Sequence, residues 1–188
     1  MSPSSKKNQL RIIGGRWRGR KLTFPDTADL RPTPDRVRET LFNWLQPVIV
    51  GARCLDLFSG SGALGFEAAS RGAADVIMVD QDRTVTNSLT QHVTTLQATE
   101  VHIACSNGID YLNGTPSPFD IVFLDPPYQQ DSLESCCHLL EDKGWLSAKA
   151  HVYIEHSSST LLPGLPANWQ VKRSKKAGNV SYHLVFRG

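Results

Sequence analysis

Cys54-Leu55-Asp56-Leu57-Phe58-Ser59-Gly60-Ser61-Gly62-Ala63-Leu64-Gly65 is a short apolar strand running into a glycine-rich turn and then a helix. Gly60, Gly62 and Gly65 satisfy the spacing G-x-G-x-x-G, in which glycines permit a tight turn and let a ligand approach the backbone closely. The pattern fits nucleotide-like cofactors in general. Asp56 narrows it: four residues ahead of the first glycine, its charge would sit badly beside a dinucleotide's pyrophosphate.

A carboxylate there suits the cationic amino-acid end of S-adenosylmethionine, with Phe58, Ser59, Gly60 and Gly62 forming the rest of the loop. A turn or helix cap is the alternative use for Asp56. The next apolar run, Ala74 to Val79, ends in Asp80, twenty residues after Gly60, where an acid is expected to take the ribose hydroxyls of an adenosine. Gln81 and Asp82 follow with no basic residue before Arg83, so nothing there is arranged for a ribose phosphate. Val101 to Cys105 leads into Ser106-Asn107-Gly108, a polar turn suited to the adenine edge, although Asn-Gly is also an ordinary turn dipeptide.

The apolar run Phe119 to Leu124 delivers Asp125-Pro126-Pro127-Tyr128 to a strand end. An acid, proline carbonyls and an aromatic form a rigid pocket for a flat ring bearing an exocyclic amine: the oxygens accept its hydrogens and the aromatic stacks on its face. The simpler reading is a Pro-Pro strand stop with Asp125 capping a turn.

Strands near 53 to 58, 75 to 79, 101 to 105 and 119 to 124 alternate with helices, which predicts a parallel, doubly wound, Rossmann-like α/β sheet. Strands near 151 to 155, 169 to 175 and 181 to 186 complete seven, the last two as an antiparallel C-terminal hairpin. Ahead of the sheet, Gly14-Gly15 between two short apolar runs predicts a β-hairpin whose loop bears arginines. Thr33 as cap and Pro34 in the first turn predict a helix with Val37, Leu41, Trp44 and Leu45 on its apolar stripe and Arg36 exposed. Residues 1–35 are read as a basic extension and 36–188 as the main domain. In such sheets ligands sit at the carboxyl ends of strands, where Asp56, Asp80, Asn107 and Asp125 all fall.

These segments resemble class I S-adenosylmethionine-dependent methyltransferases that act on amino groups. Arg11-Ile12-Ile13-Gly14-Gly15 through Arg18-Gly19-Arg20-Lys21-Leu22, then Arg31-Pro32-Thr33-Pro34-Asp35-Arg36-Val37-Arg38-Glu39-Thr40-Leu41-Phe42, and the later Glu141 to Leu146 and Pro166 to Trp169, are similar to the RsmD-type 16S ribosomal RNA guanine-N2 methyltransferases. The resemblance spans nearly the whole chain. It implies S-adenosylmethionine as cofactor and methylation of guanine 966 of 16S ribosomal RNA (rRNA numbering), in an assembled small ribosomal subunit. Asp125, Pro126, Pro127 and Tyr128 would be catalytic; Asp56, Phe58, Ser59, Gly60, Gly62, Asp80, Gln81, Asn107 and Gly108 would hold the cofactor. An adenine-N6 methyltransferase would share the pocket, but usually carries asparagine or serine in place of Asp125 and a larger recognition insert. A noncatalytic assembly factor on the same fold would have no need of Asp56, Asp80 and Asp125.

Length and composition, 188 residues at 40% hydrophobic, fit one well-cored domain. The net charge of +2 is unevenly spread: residues 1 to 53 carry eleven Lys or Arg against four acids, +7, leaving −5 for the remainder. Trp17 lies among Arg16, Arg18, Arg20 and Lys21, and a basic stretch with an interleaved aromatic suits RNA phosphates and an exposed base. Arg11, Arg31 and Arg36 join that expected RNA-binding set, and Lys172, Arg173, Lys175 and Lys176 form a second cluster. A solvated face is the alternative for either. With no long apolar run and no signal-peptide core, a cytoplasmic, monomeric protein without membrane contact is expected. The four cysteines show no metal spacing and read as reduced core residues, and the six histidines form no cluster in sequence. No metal is expected.

Overall fold

The computed structural model describes residues 8–26, 32–127 and 132–188. An antiparallel hairpin of β1 (Asn8–Arg11) and β2 (Lys21–Phe24) precedes α1 (Asp35–Leu45). Strands and helices then alternate: β3 (Arg53–Asp56), α2 (Ala63–Ser70), β4 (Asp75–Asp80), α3 (Arg83–Leu96), β5 (Val101–Cys105), α4 (Gly108–Leu112), β6 (Phe119–Leu124), α5 (Leu133–Asp142) and β7 (Leu146–Ser157). β8 (Trp169–Ala177) and β9 (Val180–Arg187) come last.

The main sheet has seven strands in the order β5-β4-β3-β6-β7-β9-β8. β3 pairs parallel with both β4 and β6, as the sequence predicts, and β8 and β9 form the expected antiparallel hairpin; β9 also runs antiparallel to β7. The chain steps outward from β3 to β5 and then returns to β6, so the strand order reverses between β3 and β6. That switch point opens a crevice at the strands' carboxyl ends. Two boundaries differ from expectation. β3 stops at Asp56, because the glycine turn begins earlier than its apolar residues imply, and β7 starts at Leu146, where its first residue pairs with Phe119 ahead of a register shift.

One sheet face packs against α1, α2, α3 and the hairpin, the other against α4 and α5. Val37, Leu41, Phe42 and Leu45 bury one side of α1, and half-buried Trp44 packs at a tilt against Tyr182. The expected Thr33 cap is not formed: Pro34 holds the capping position with no side-chain bond. The Thr33 carbonyl is taken by Arg38 Nε at 3.1 Å, and its hydroxyl turns toward Asp125. At α3, by contrast, Asp82 accepts from the Thr84 and Val85 amides, which satisfies donors the helix start leaves unpaired.

Leu10, Ile12, Leu22 and Phe24 of the hairpin share one core with α1 and α2. Burying each such side chain stabilises by about 1.5–3 kcal/mol before ordering entropy is subtracted. Beneath them lies a polar lock. Fully buried Glu67 accepts from the Ile13 and Gly14 amides at 2.9 and 2.8 Å and from Arg71 Nε at 2.7 Å. Arg38, equally buried, lies 3.5 Å from Glu67 and donates to the Arg11 carbonyl at 3.0 Å. Neither buried charge stood out in the sequence.

The hairpin loop docks on the far end of α2. The Arg16 amide donates to the Ser70 carbonyl and the Trp17 amide to the Ser70 hydroxyl. Gly15, at φ 74°, lies so close that a β-carbon would sit 1.8 Å from the Ser70 carbonyl oxygen. Gly15→Ala must therefore strain the backbone and push the loop off α2. Its expected cost is on the order of 2–4 kcal/mol by urea unfolding, and a midpoint equal to the parent's would show that the loop is not held there.

Candidate active site at the carboxyl edge of the sheet

The glycine loop is built by backbone geometry. Gly60 and Gly62 have φ of 48° and 81°, and Gly62 is the residue before α2. Gly65 lets α2 pack directly on β4, since a β-carbon there would come within 2.7 Å of the Met78 side chain. The loop is then tied to both neighbouring strand ends: Ser59 Oγ donates to the Asp56 carbonyl at 2.9 Å, and the Gly60 amide donates to Asp80 Oδ2 at 3.0 Å.

Asp56 is buried and accepts from the Gly65 amide at 2.9 Å, so its carboxylate does bond the start of α2, as the capping alternative holds. Burial pushes it up to about 7, against the Gly65 hydrogen bond and with Asp80 adding in the same direction. Asp80, at the end of β4, also accepts from the Asp82 amide at 2.9 Å; burial raises it as well. Each Asp80 oxygen keeps further lone-pair capacity for a hydroxyl.

Asn107 caps α4 through the Ile109 amide at 2.9 Å and donates its amide to Gln81 Oε1 at 3.3 Å. Gly108 packs against the half-buried Phe58 ring. Asn107, Gln81, Phe58 and Gly108 therefore line the β4–β5 end beside Asp80.

Across the crevice, β6 leads into half-buried Asp125, with Pro126 buried and Pro127 exposed; Tyr128 lies outside the described residues. Asp125 is pushed well above the ordinary carboxylate range by burial first, then by Glu155 and Asp56, with the Thr33 hydroxyl at 3.4 Å pulling the other way. Glu155, at the end of β7, accepts from the buried Tyr153 hydroxyl at 2.6 Å. Thr33 and Glu155 are site neighbours that sequence reasoning missed. Glu155 was legible only as a strand end beside His156. Asp56, Asp80, Asp125 and Glu155 thus crowd one edge, and such a cluster of partly desolvated acids favours a cationic ligand.

The expected RNA-binding residues divide in two. Arg11 reaches Asp35 at 3.7 Å, and Arg36 is exposed in the first turn of α1, three residues after Thr33. Arg16, Trp17, Arg18 and Arg20 belong to the loop on the far end of α2, with Lys21 opening β2 opposite Arg11. Arg16 ion-pairs with Glu100, just ahead of β5, and its guanidinium lies 4.1 Å over the half-buried Trp17 ring. That places the loop at the amino ends of the strands, opposite Asp125. Arg31 lies outside the described residues.

One further expectation, that all four cysteines are core residues, is corrected. Cys105 is exposed at the end of β5 while Cys54, Cys136 and Cys137 are free and buried. His156 and His183 do meet, 3.0 Å between their Nε2 atoms, because antiparallel pairing of β7 and β9 joins residues far apart in sequence. Among the described residues no group of three or more ligating side chains could hold a metal, and no helix is long and apolar enough to cross a membrane.

A family model described as conserved hypothetical protein 95 matches residues 10–186. The ribosomal RNA small subunit methyltransferase D of Escherichia coli K12 is 51% identical over 97% of this chain and 92% of its own length. The solved structure of the Escherichia coli protein yhhF superposes with a TM-score of 0.90 at 49% identity, over 96% of this chain and 98% of that one. An RNA methyltransferase from Salinibacter ruber, solved in complex with S-adenosyl-L-homocysteine, shares the fold at a TM-score of 0.63 and 15% identity, over 84% and 94% of the two chains. By sequence along almost its whole length and by fold, the chain belongs to the conserved hypothetical protein 95 family, the RsmD-type ribosomal RNA methyltransferases that its motifs resemble.

Proposed function

We propose that this protein transfers a methyl group from S-adenosylmethionine to the exocyclic N2 of a guanine in 16S ribosomal RNA within the small ribosomal subunit. The observation that carries the reading is the crevice between β3 and β6, where Asp125-Pro126 faces the glycine loop across a cluster of buried and half-buried acids. The 51% identical relative supports the RNA substrate by its name. Residues 1–35 serve as the docking extension of the domain 36–188, with Arg11 and Arg36 beside the acceptor, and the protein works as a cytoplasmic monomer.

The residues fit the cofactor. Asp56, held up to about 7, gains from a cation nearby. Asp80 offers oxygens to a ribose, and Gly60 and Gly62 open the backbone to close approach. Gln81, Asn107 and Gly108 border the adenine side. When bound, S-adenosylmethionine supplies an electrophilic methyl carbon whose leaving group is a neutral thioether.

The chain's own task is to prepare the amine. Guanine N2 is a weak nucleophile because its lone pair is delocalised into the ring. Asp125 and the Pro126 carbonyl accept its two hydrogens, which favours a pyramidal nitrogen and points the lone pair at the methyl carbon. Thr33 holds the Asp125 carboxylate in place by its hydroxyl, and Tyr128 stacks on the extruded base. The nitrogen becomes acidic only as the N–C bond forms and the C–S bond breaks, so Asp125 takes the proton late and no stronger base is needed. Positioning supplies most of the rate, with effective molarities reaching about 10⁵ M or more.

Small-subunit particles lacking the modification, incubated with labelled S-adenosylmethionine, should yield N2-methylguanosine on nuclease digestion. N6-methyladenosine, or no transfer, would overturn the reading. In the same assay Asp125→Ala should bind cofactor normally yet lose roughly 10²-fold or more in single-turnover rate.

Asp80→Ala should weaken S-adenosylmethionine binding by about 1–3 kcal/mol, since hydrogen bonds to a charged acceptor are lost. Calorimetry on a folded variant with unchanged affinity would remove Asp80 from the ribose site.

The acids also set a pH dependence. Asp56 in the folded protein holds its proton up to about 7, whereas the unfolded chain releases it near 4. Its contribution to stability therefore falls as pH rises between those values. A cation bound beside it reverses the preference. Cofactor binding between pH 5 and 7 should release protons and tighten as pH rises, read from calorimetry in buffers of differing ionisation enthalpy; Asp56→Asn should reduce the release, the remainder coming from Asp80 and Asp125.

A further inference from the structure

We propose that Lys175 and Lys176, at the end of β8, hold the phosphate backbone of the substrate RNA beside the acceptor site, an inference that rests on the RNA substrate proposed above. The sheet register carries it. Leu124 lies opposite Ile154, Ile154 opposite His183, and His183 opposite Ser174. The next row therefore runs from Asp125 through Glu155 and Tyr182 to Lys175, and the row beyond it through His156 and Ser181 to Lys176. β6, β7, β9 and β8 are successive neighbours, so Lys175 stands three strand spacings from Asp125, about 14 Å at the usual inter-strand distance.

Charge makes that position useful. The middle of the edge holds Asp56, Asp80, Asp125 and Glu155, which favour a cationic cofactor and repel an anionic strand. A phosphate chain crossing this edge must be tethered at the margins. The arginine loop of the hairpin lies at the amino ends of the strands and cannot serve there. Lys175 and Lys176, both exposed, lie on the outermost strand at one margin, and Arg36 is exposed in the first turn of α1. The row that ends at Lys176 offers His156 and Ser181, polar groups over which a backbone can run. Lysines on an edge strand also deter unwanted strand pairing, but for that purpose any position along β8 serves equally well. Lys172, at the bulge near the opposite end, reaches Gln170 at 2.9 Å and lies over the Phe186 ring; it supplies the comparison.

The test is binding of the full-length protein to small ribosomal subunit particles across a series of salt concentrations. Lys175→Ala with Lys176→Ala should lower the slope of log affinity against log salt by about 1.5, at 0.7–0.9 per lost phosphate contact. It should raise KM for particles, leave kcat near the parent value and leave S-adenosylmethionine affinity unchanged. Lys172→Ala should keep the parental slope. An unchanged slope in the double variant overturns the contact, as does an equal drop per residue in Lys172→Ala, which would mark diffuse attraction. Methyl transfer by the parent is scored separately: binding with a lysine-dependent slope but no transfer overturns the proposed reaction while supporting the contact, and transfer with an unchanged slope overturns the contact alone.

Discussion

Arg38 and Glu67 are two charges withdrawn from water, and the placement of everything around the crevice follows from how they are satisfied. A buried ion pair is tolerated only when further hydrogen bonds offset its desolvation. Here those partners are the Arg11 and Thr33 carbonyls for Arg38 and the Ile13 and Gly14 amides for Glu67. They fix the hairpin, α1 and α2 in one arrangement. α2 begins at the cofactor loop, and the segment ahead of α1 carries Thr33 to Asp125. A buried node thus aligns both sides of the site.

The second constraint is electrostatic separation. The reaction read from this site brings a cation and a polyanion to the same edge of one sheet. Acids concentrated at the centre and bases at the margins resolve the conflict, because attraction between partly desolvated groups falls steeply once solvent intervenes. The raised proton affinity of Asp56 and Asp125 comes first from burial and then from that crowding.

What the sequence made legible were features encoded by neighbours in the chain. The strand-turn-helix around Gly60 to Gly65, the acid ending β4 and the Asp125-Pro126 strand end each announce themselves within a dozen residues, and their alternation implies the parallel sheet. Arg38 was illegible because it stands beside Val37 at a position that reads as solvated; only the approach of α2 buries it. Thr33 looked like a cap for the same reason, its true partner being 92 residues away. Asn107 fitted two readings in the sequence, and in the structure the helix claims its carbonyl oxygen. The arginine loop looked like part of the site, since no local pattern reveals which end of the strands a hairpin tip will reach.

The insertion of β9 between β7 and β8 bears on how the chain folds. β9 is made after β8 yet pairs with β7 along seven residue positions. During synthesis the outer edge of β7, rich in Tyr153, Ile154 and other buried residues, stays open while β8 and its turn emerge. An unpaired apolar edge recruits strands from other chains. Folding of the second half is thus a race between closure by the chain's own later hairpin and capture by a neighbour, and a nascent protein stalled before Val180 would be the species a chaperone must shield.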